Sequence, residues 1–161
     1  MSTLREHDLI TVLSEDHRAV EQAFEQLQDR QGSSTQRSTL ARDVAAALRR
    51  HAEAEERHLY PLVRRELPDG AARADRELSE HAEAERVMAD LAQVGSGDER
   101  FETLVAELVG LVRNHVQEEE HELFPRLVQA VPAGTLRELG TYARQVTDSD
   151  LTPSPGRRGP V

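Results

Sequence analysis

The sequence predicts an all-α fold: an antiparallel up-down four-helix bundle followed by a short C-terminal helix and a disordered tail. Three observations carry this expectation. Apolar residues recur at helical spacing along most of the chain, without a run of strand-like alternation. The helical stretches are separated by short breaks rich in Gly, Ser, Pro or Asp. A histidine followed four positions later by a glutamate occurs once in each of the four long stretches. At 161 residues the chain suits one domain with a single core. The bundle is placed at residues 1–147 and the tail at 148–161.

Leu9, Leu13, Val20, Phe24 and Leu27 form the stripe of the first helix, with Thr3 and Glu6 as a capping box ahead of it. A Gly/Ser/Gln/Thr-rich loop over 30–36 ends it. Leu40, Val44, Leu48, Leu59 and Leu62 mark the second helix, stopped by Pro68-Asp69-Gly70, where Asp69 is placed to cap the third. Leu78, Met88 and Leu91 carry the third, which Gly95-Ser96-Gly97-Asp98 breaks. Ser96 and Glu99 then form a second capping box. Phe101, Leu104, Leu108, Leu111 and Leu127 carry the fourth, and Thr135–Val146 a shorter fifth. With aromatic residues at 3%, the core is expected to be mainly Leu, Val and Ala.

The chain has no cysteine, which excludes disulfides and thiolate-held metals. A net charge of −10 argues against binding the phosphates of nucleic acid. No stretch approaches the ~20 apolar residues that span a bilayer, and the N-terminal MSTLREHDLI lacks the pattern of a signal peptide. A soluble, cytoplasmic protein without membrane or nucleic-acid partners is expected, with monomer or homodimer left open.

The pentapeptide HAEAE stands at both 51–55 and 81–85. Each copy puts an imidazole and a carboxylate one turn apart on the same side of a helix. The full set of such pairs is His17/Glu21, His51/Glu55, His81/Glu85 and His115/Glu119. His17 to His51 and His81 to His115 are each 34 residues apart. His17 to His81 and His51 to His115 are each 64 apart. HAEAEERHLYP (51–61) also aligns without gaps on HVQEEEHELFP (115–125), so the chain reads as a duplicated helical hairpin.

His17 and His51 lie nearly equidistant from the first loop, so at ~1.5 Å per residue they meet at one level of the hairpin. His17 is in line with Leu13, Val20 and Phe24, so these pairs point into the core. Unpartnered there, each titratable side chain would cost roughly several kcal/mol, a difficulty that bound metal removes. Imidazole and carboxylate without thiolate suit iron, manganese or zinc. The donors exceed what one zinc needs and suffice for two six-coordinate ions, supposing that Glu55 and Glu119 bridge. A ferritin-like reading through Glu55/His58 and Glu118/His121 fails, because those two pairs depart from the 64-residue offset by one residue and leave the other histidines unexplained.

The stretches DLITVLSEDHRAVEQAFEQL (8–27), RRHAEAEERHLYPLV (49–63), SEHAEAERVMADL (79–91) and NHVQEEEHELFPRL (114–127) resemble hemerythrin-like proteins of the HHE cation-binding family. The resemblance implies a four-helix bundle around two iron ions, oxo- or hydroxo-bridged and joined by two carboxylates. It carries the first-helix histidine onto His17, the second-helix pair onto His51 and Glu55, and the fourth-helix pair onto His115 and Glu119. In the third helix, where dioxygen carriers have two histidines, this chain has His81 and Glu85, both taken as metal ligands. The extra carboxylate makes reversible oxygen carriage a poor expectation.

Glu21 is expected beside the ligands or in solvent, His58, two turns after His51 on the same side, is left open as a ligand or neighbour, and His7 and His121 are expected on the surface. Tyr60 and Phe124 are expected to pack, Tyr60 being also a candidate hydrogen-bonding neighbour of the site. The small ligand is then dioxygen, hydrogen peroxide or nitric oxide. Catalase-like peroxide breakdown is the favoured activity, and a sensing or iron-storage module without turnover is the alternative.

Overall fold

The computed structural model describes residues 7–30 and 32–148, and every regular element among them is helical. The helices are α1 (Leu9–Gln28), α2 (Ser34–Ala54), α3 (Tyr60–Glu66), α4 (Gly70–Gln93), α5 (Glu99–Glu118), α6 (Phe124–Ala130) and α7 (Ala133–Asp148). A π turn, Glu55–Leu59, runs α2 into α3, and a second, Glu119–Leu123, runs α5 into α6. Thr3 and Glu6 of the expected first cap lie outside the described residues, as do residues 149–161 of the expected tail. Asp148, the first residue of that tail, ends α7.

Caps follow local chemistry, in part at other residues than expected. Asp8 starts α1, its carboxylate accepting the Thr11 N–H at 2.8 Å. Ser33 and Gln36 form a reciprocal capping box at α2. Asp69 precedes α4, but its side chain accepts from no α4 amide. Its carboxylate is turned to Arg126 of α6 instead. The turn there is tight enough that a Cβ on Gly70 would lie 2.0 Å from the Val63 carbonyl oxygen. Ser96 likewise does not cap α5, because its hydroxyl donates to the Ser34 carbonyl at 2.6 Å. Asp98 accepts the Arg100 N–H in its place.

Both π turns have one physical cause. Pro61 and Pro125 lack an N–H, and in a regular helix their rings would press on the carbonyl four residues back. Widening the preceding turn by one residue removes that clash. The Tyr60 N–H then bonds to the Glu55 carbonyl, and the Phe124 N–H to that of Glu119. Residues five apart, rather than four, now share a side.

α1 packs on α2, α5 and α7, while α4 packs on α3, α5 and α2. Gly140 lets α7 cross the start of α1, for a Cβ there would sit 1.9 Å from the His7 carbonyl oxygen. The bundle holds two apolar clusters. One gathers Leu9, Leu13, Leu59, Leu62, Leu123 and Leu127 with α7 residues Leu136 and Ala143. The other gathers Val20, Phe24, Val44, Met88, Phe101 and Leu108. Four of the five aromatic side chains, Phe24, Tyr60, Phe101 and Phe124, are buried in them. Between the clusters lies a layer of buried histidine and glutamate. No helix among the described residues is long and apolar enough to cross a membrane.

Candidate metal centre

The polar layer is built from α1 (His17), the α2–π junction (His51, Glu55), α4 (Glu77, His81) and the α5–π junction (His115, Glu119). His17, His51 and His115 are buried, and Glu55, Glu77 and Glu119 are 0% exposed. The four imidazoles all turn Nε2 inward. Nε2 of His17 and His51 are 3.0 Å apart, and those of His81 and His115 are 3.2 Å apart. The carboxylates stand between these pairs. Glu55 Oε1 is 2.7 Å from His51, 3.5 Å from His81 and 3.8 Å from His115. Glu119 Oε1 is 3.3 Å from His17 and 3.4 Å from His115. These approaches are close but lack hydrogen-bond alignment, so both Oε1 atoms are buried without a donor.

Such orphaned acceptors, facing imidazole nitrogens in a dry core, fit a cation. His17, His51, Glu55 and Glu119 offer four donor atoms within 4.8 Å of one another, and Glu55, His81 and His115 offer three. Glu55 belongs to both groups. Glu119 also groups with Glu77 and His115.

Each imidazole has its Nδ1 on the outer side, where a carboxylate can accept its proton and fix the ring. Asp16 accepts from His51 at 3.1 Å, Glu120 from His17 at 3.1 Å, and Glu80 from His115 at 2.7 Å. Glu77 also lies 2.9 Å from His115 Nδ1. For His81 the nearest such group is Glu56 at 4.0 Å, and its Nδ1 has no hydrogen bond. These partners obey the 64-residue offset too: Asp16 corresponds to Glu80, and Glu56 to Glu120.

Glu85 is not brought to the cluster. It is half exposed and held by both oxygens in the fork of Arg49. Glu21 is held in the same way by Arg113, the residue 64 positions after Arg49. On α1 and α4, then, the residue one turn after the histidine is a surface tie between helices. The interior position is the one four residues before it: Leu13 on α1 and Glu77 on α4. Sequence reading missed Glu77, although the interior stripe of α1, shifted by 64, passes through it.

Tyr60, a candidate neighbour from the sequence, is brought to the layer. The π turn swings it under Glu55, and its phenol oxygen lies 3.3 Å from Glu55, 3.2 Å from Glu119 and 3.0 Å from His81 Nε2. Its counterpart Phe124 stacks on His17 instead. His58 stacks on Tyr142 of α7, away from the cluster, and His7 and His121 are exposed.

Charge is shared tightly within the layer. Burial disfavours an imidazolium at His51, but Glu55 and Asp16 override it and push the pKa up to about 10. The same contest raises His17 and lifts His115 well above its ordinary value. Glu55 is held well below the carboxylate range: burial opposes this, and His51 is the strongest of the groups that outweigh it. Burial raises Tyr60, with Glu55 and Glu119 adding to it, and burial also raises Glu77. A metal ion would replace these protons as the counter-charge.

Residues 8–127 match the family model described as the hemerythrin HHE cation binding domain. Neither the curated proteins nor the solved structures compared with the chain include a match.

Proposed function

We propose, since the chain belongs to the hemerythrin HHE cation-binding family, that its polar layer holds two iron ions inside an antiparallel four-helix bundle. His17 and His51 would hold one ion and His81 and His115 the other, with Glu55 and Glu119 as the carboxylates within reach of both pairs. The observation that carries this reading is the position of the two carboxylates, each within reach of imidazoles from both halves of the chain. Tyr60 adds a phenol oxygen on the His81/His115 side. Glu85 is left out of the ligand set, being tied to Arg49.

Bound iron supplies Lewis acidity and redox chemistry toward a small ligand such as dioxygen, hydrogen peroxide or nitric oxide. The protein's part is to orient and to shield. Asp16, Glu80 and Glu120 fix the imidazoles from outside, and apolar clusters lie above and below. Three buried glutamates, a phenol and the outer carboxylates favour the higher oxidation state over reversible oxygen binding, which supports catalase-like peroxide breakdown. Oxygen release from hydrogen peroxide by iron-loaded protein, compared with the same concentration of free iron, tests the activity. Faster release by the protein is expected. Release no faster than free iron removes the peroxide version and leaves a sensing or storage module.

A further inference from the structure

A second group of carboxylates stands on the outer side of His115. Glu77 and Glu80 come from α4 and Glu118 from the end of α5, and the three offer oxygen atoms within 4.8 Å of one another. Glu77 is fully buried, and neither of its oxygens accepts a hydrogen bond. One oxygen of Glu118 is likewise buried without a donor. The nearby cations leave these atoms unsatisfied. Arg73 Nε is 3.5 Å from Glu77 but makes no hydrogen bond, and the same guanidinium is engaged by Glu122 at 2.7 Å. Arg76 reaches Glu118 at 2.6 Å and lies 3.7 Å from Glu80. His115 Nδ1 is 2.7 Å from Glu80 and 2.9 Å from Glu77, and its single proton serves Glu80.

The 64-residue offset shows what is particular to this side. The counterparts of Arg73, Arg76, Glu77 and Glu118 are Leu9, Val12, Leu13 and Ala54, all of them core residues. Glu80 alone has a carboxylate as counterpart, Asp16, which meets His51 as Glu80 meets His115. One half of the chain therefore carries charge where the other packs apolar side chains. A buried carboxylate without donors is costly, and converging carboxylate oxygens are what a hard divalent cation takes. Donors of this kind, with no imidazole, suit manganous ion, and ferrous iron stands next to it in the order of affinities.

The cluster also has a direction. The Arg76 side chain is 57% exposed, those of Glu118 and Glu80 are 16% and 22% exposed, and Glu77 is closed off from solvent. Glu77 groups in turn with His115 and Glu119 of the polar layer. Turning Arg76 outward opens Glu118 and Glu80 to solvent, and Glu77 joins them to the layer.

We propose that Glu77, Glu80 and Glu118 hold one exchangeable divalent cation, and that the buried layer is filled with ferrous iron through this outer site. The outer site rests on its own carboxylates, while its role as a supply rests on the metal-centre reading.

Manganous ion is the probe. Iron-treated protein, freed of loose metal by gel filtration, is titrated with Mn²⁺, and the free ion is followed by its electron paramagnetic resonance. One Mn²⁺ per chain is expected to bind with the iron content unchanged. Glu118→Gln is expected to weaken it about tenfold. Arg76→Gln is expected to tighten it, because a competing cation is removed. Glu21→Gln, which removes the same charge from the Arg113 tie, is expected to leave it unchanged. Ferrous uptake by metal-free Glu118→Gln protein is expected to start about tenfold more slowly and to end at the wild-type iron content. No Mn²⁺ bound at millimolar concentration, Mn²⁺ that enters only by displacing iron, or undiminished binding in Glu118→Gln overturns the proposal. An unchanged initial rate of ferrous uptake overturns it as well. A protein that binds Mn²⁺ through Glu118 but retains no iron after gel filtration keeps the outer site and removes the di-iron reading.

Discussion

At the counterparts of Tyr60 and Glu77, 64 residues away, stand Phe124 and Leu13. These two substitutions make the His81/His115 side of the centre polar and anionic, while the His17/His51 side has a stacked Phe124 and a leucine. A phenol oxygen 3.0 Å from His81 Nε2 is placed to ligate the ion proposed there. In Tyr60→Phe the iron content is expected to stay unchanged, while a visible phenolate-to-iron absorption, expected of the iron-loaded ferric wild type, is expected to be absent. Persistence of that band in the variant would remove Tyr60 from the ligand set. Glu77 is a buried carboxylate with no hydrogen bond to either oxygen, its nearest contact being His115 Nδ1. Glu77→Leu copies the other half of the chain. Metal affinity is expected to fall roughly 10–100-fold, as for outer partners of metal-binding histidines. The metal-free protein is expected to unfold at higher temperature, because a buried carboxylate has been exchanged for an apolar side chain. Competition titration and thermal unfolding check the two halves of that statement.

At the scale of elements, close backbone approaches fix how α7 and α4 are seated. Gly140→Ala forces a methyl group onto the His7 carbonyl. A loss of about 1–3 kcal/mol in urea unfolding is expected, with metal content unaffected because α7 contributes no ligand. The breaks between helices and the stripes inside them were readable from Gly, Pro and apolar spacing. Cap identities were less so: Asp69 and Ser96 had the right residue type, but Arg126 and Ser34, far away in sequence, claimed their side chains. The π turns were also hidden. Their signal was present in Leu59-Tyr60-Pro61 and Leu123-Phe124-Pro125, since a proline inside a helical pattern requires the turn before it to yield. Without that widened turn, Tyr60 reads as a packing residue and a candidate neighbour of the site, with no specific contact to Glu55.

Over the whole molecule, the duplication made most of the centre legible: His17, His51, Glu55, His81, His115 and Glu119 converge where matched spacings place them. Glu85 stands outside that convergence, because four residues either side of His81 are equally near its face and helical spacing alone does not say which side meets the core. Arg49 decided it. Proton linkage is a property of the assembled layer. In metal-free protein, His51 at about 10 lies above its ordinary 6.5. Its protonation therefore stabilises the fold fully below 6.5, and this contribution is lost as pH rises toward 10. Metal needs the neutral nitrogen, so its affinity should rise over the same interval while metal-free stability falls. Chelator competition and thermal unfolding across that range test both signs.

The proposed di-metal centre is tested most directly by counting metal ions per chain in purified, iron-loaded protein and in two variants. The wild type is expected to hold two irons, Glu85→Gln also two, and the double variant His17→Ala/His51→Ala one. A wild type that holds one ion or none, or a Glu85→Gln protein that loses one, would contradict the account.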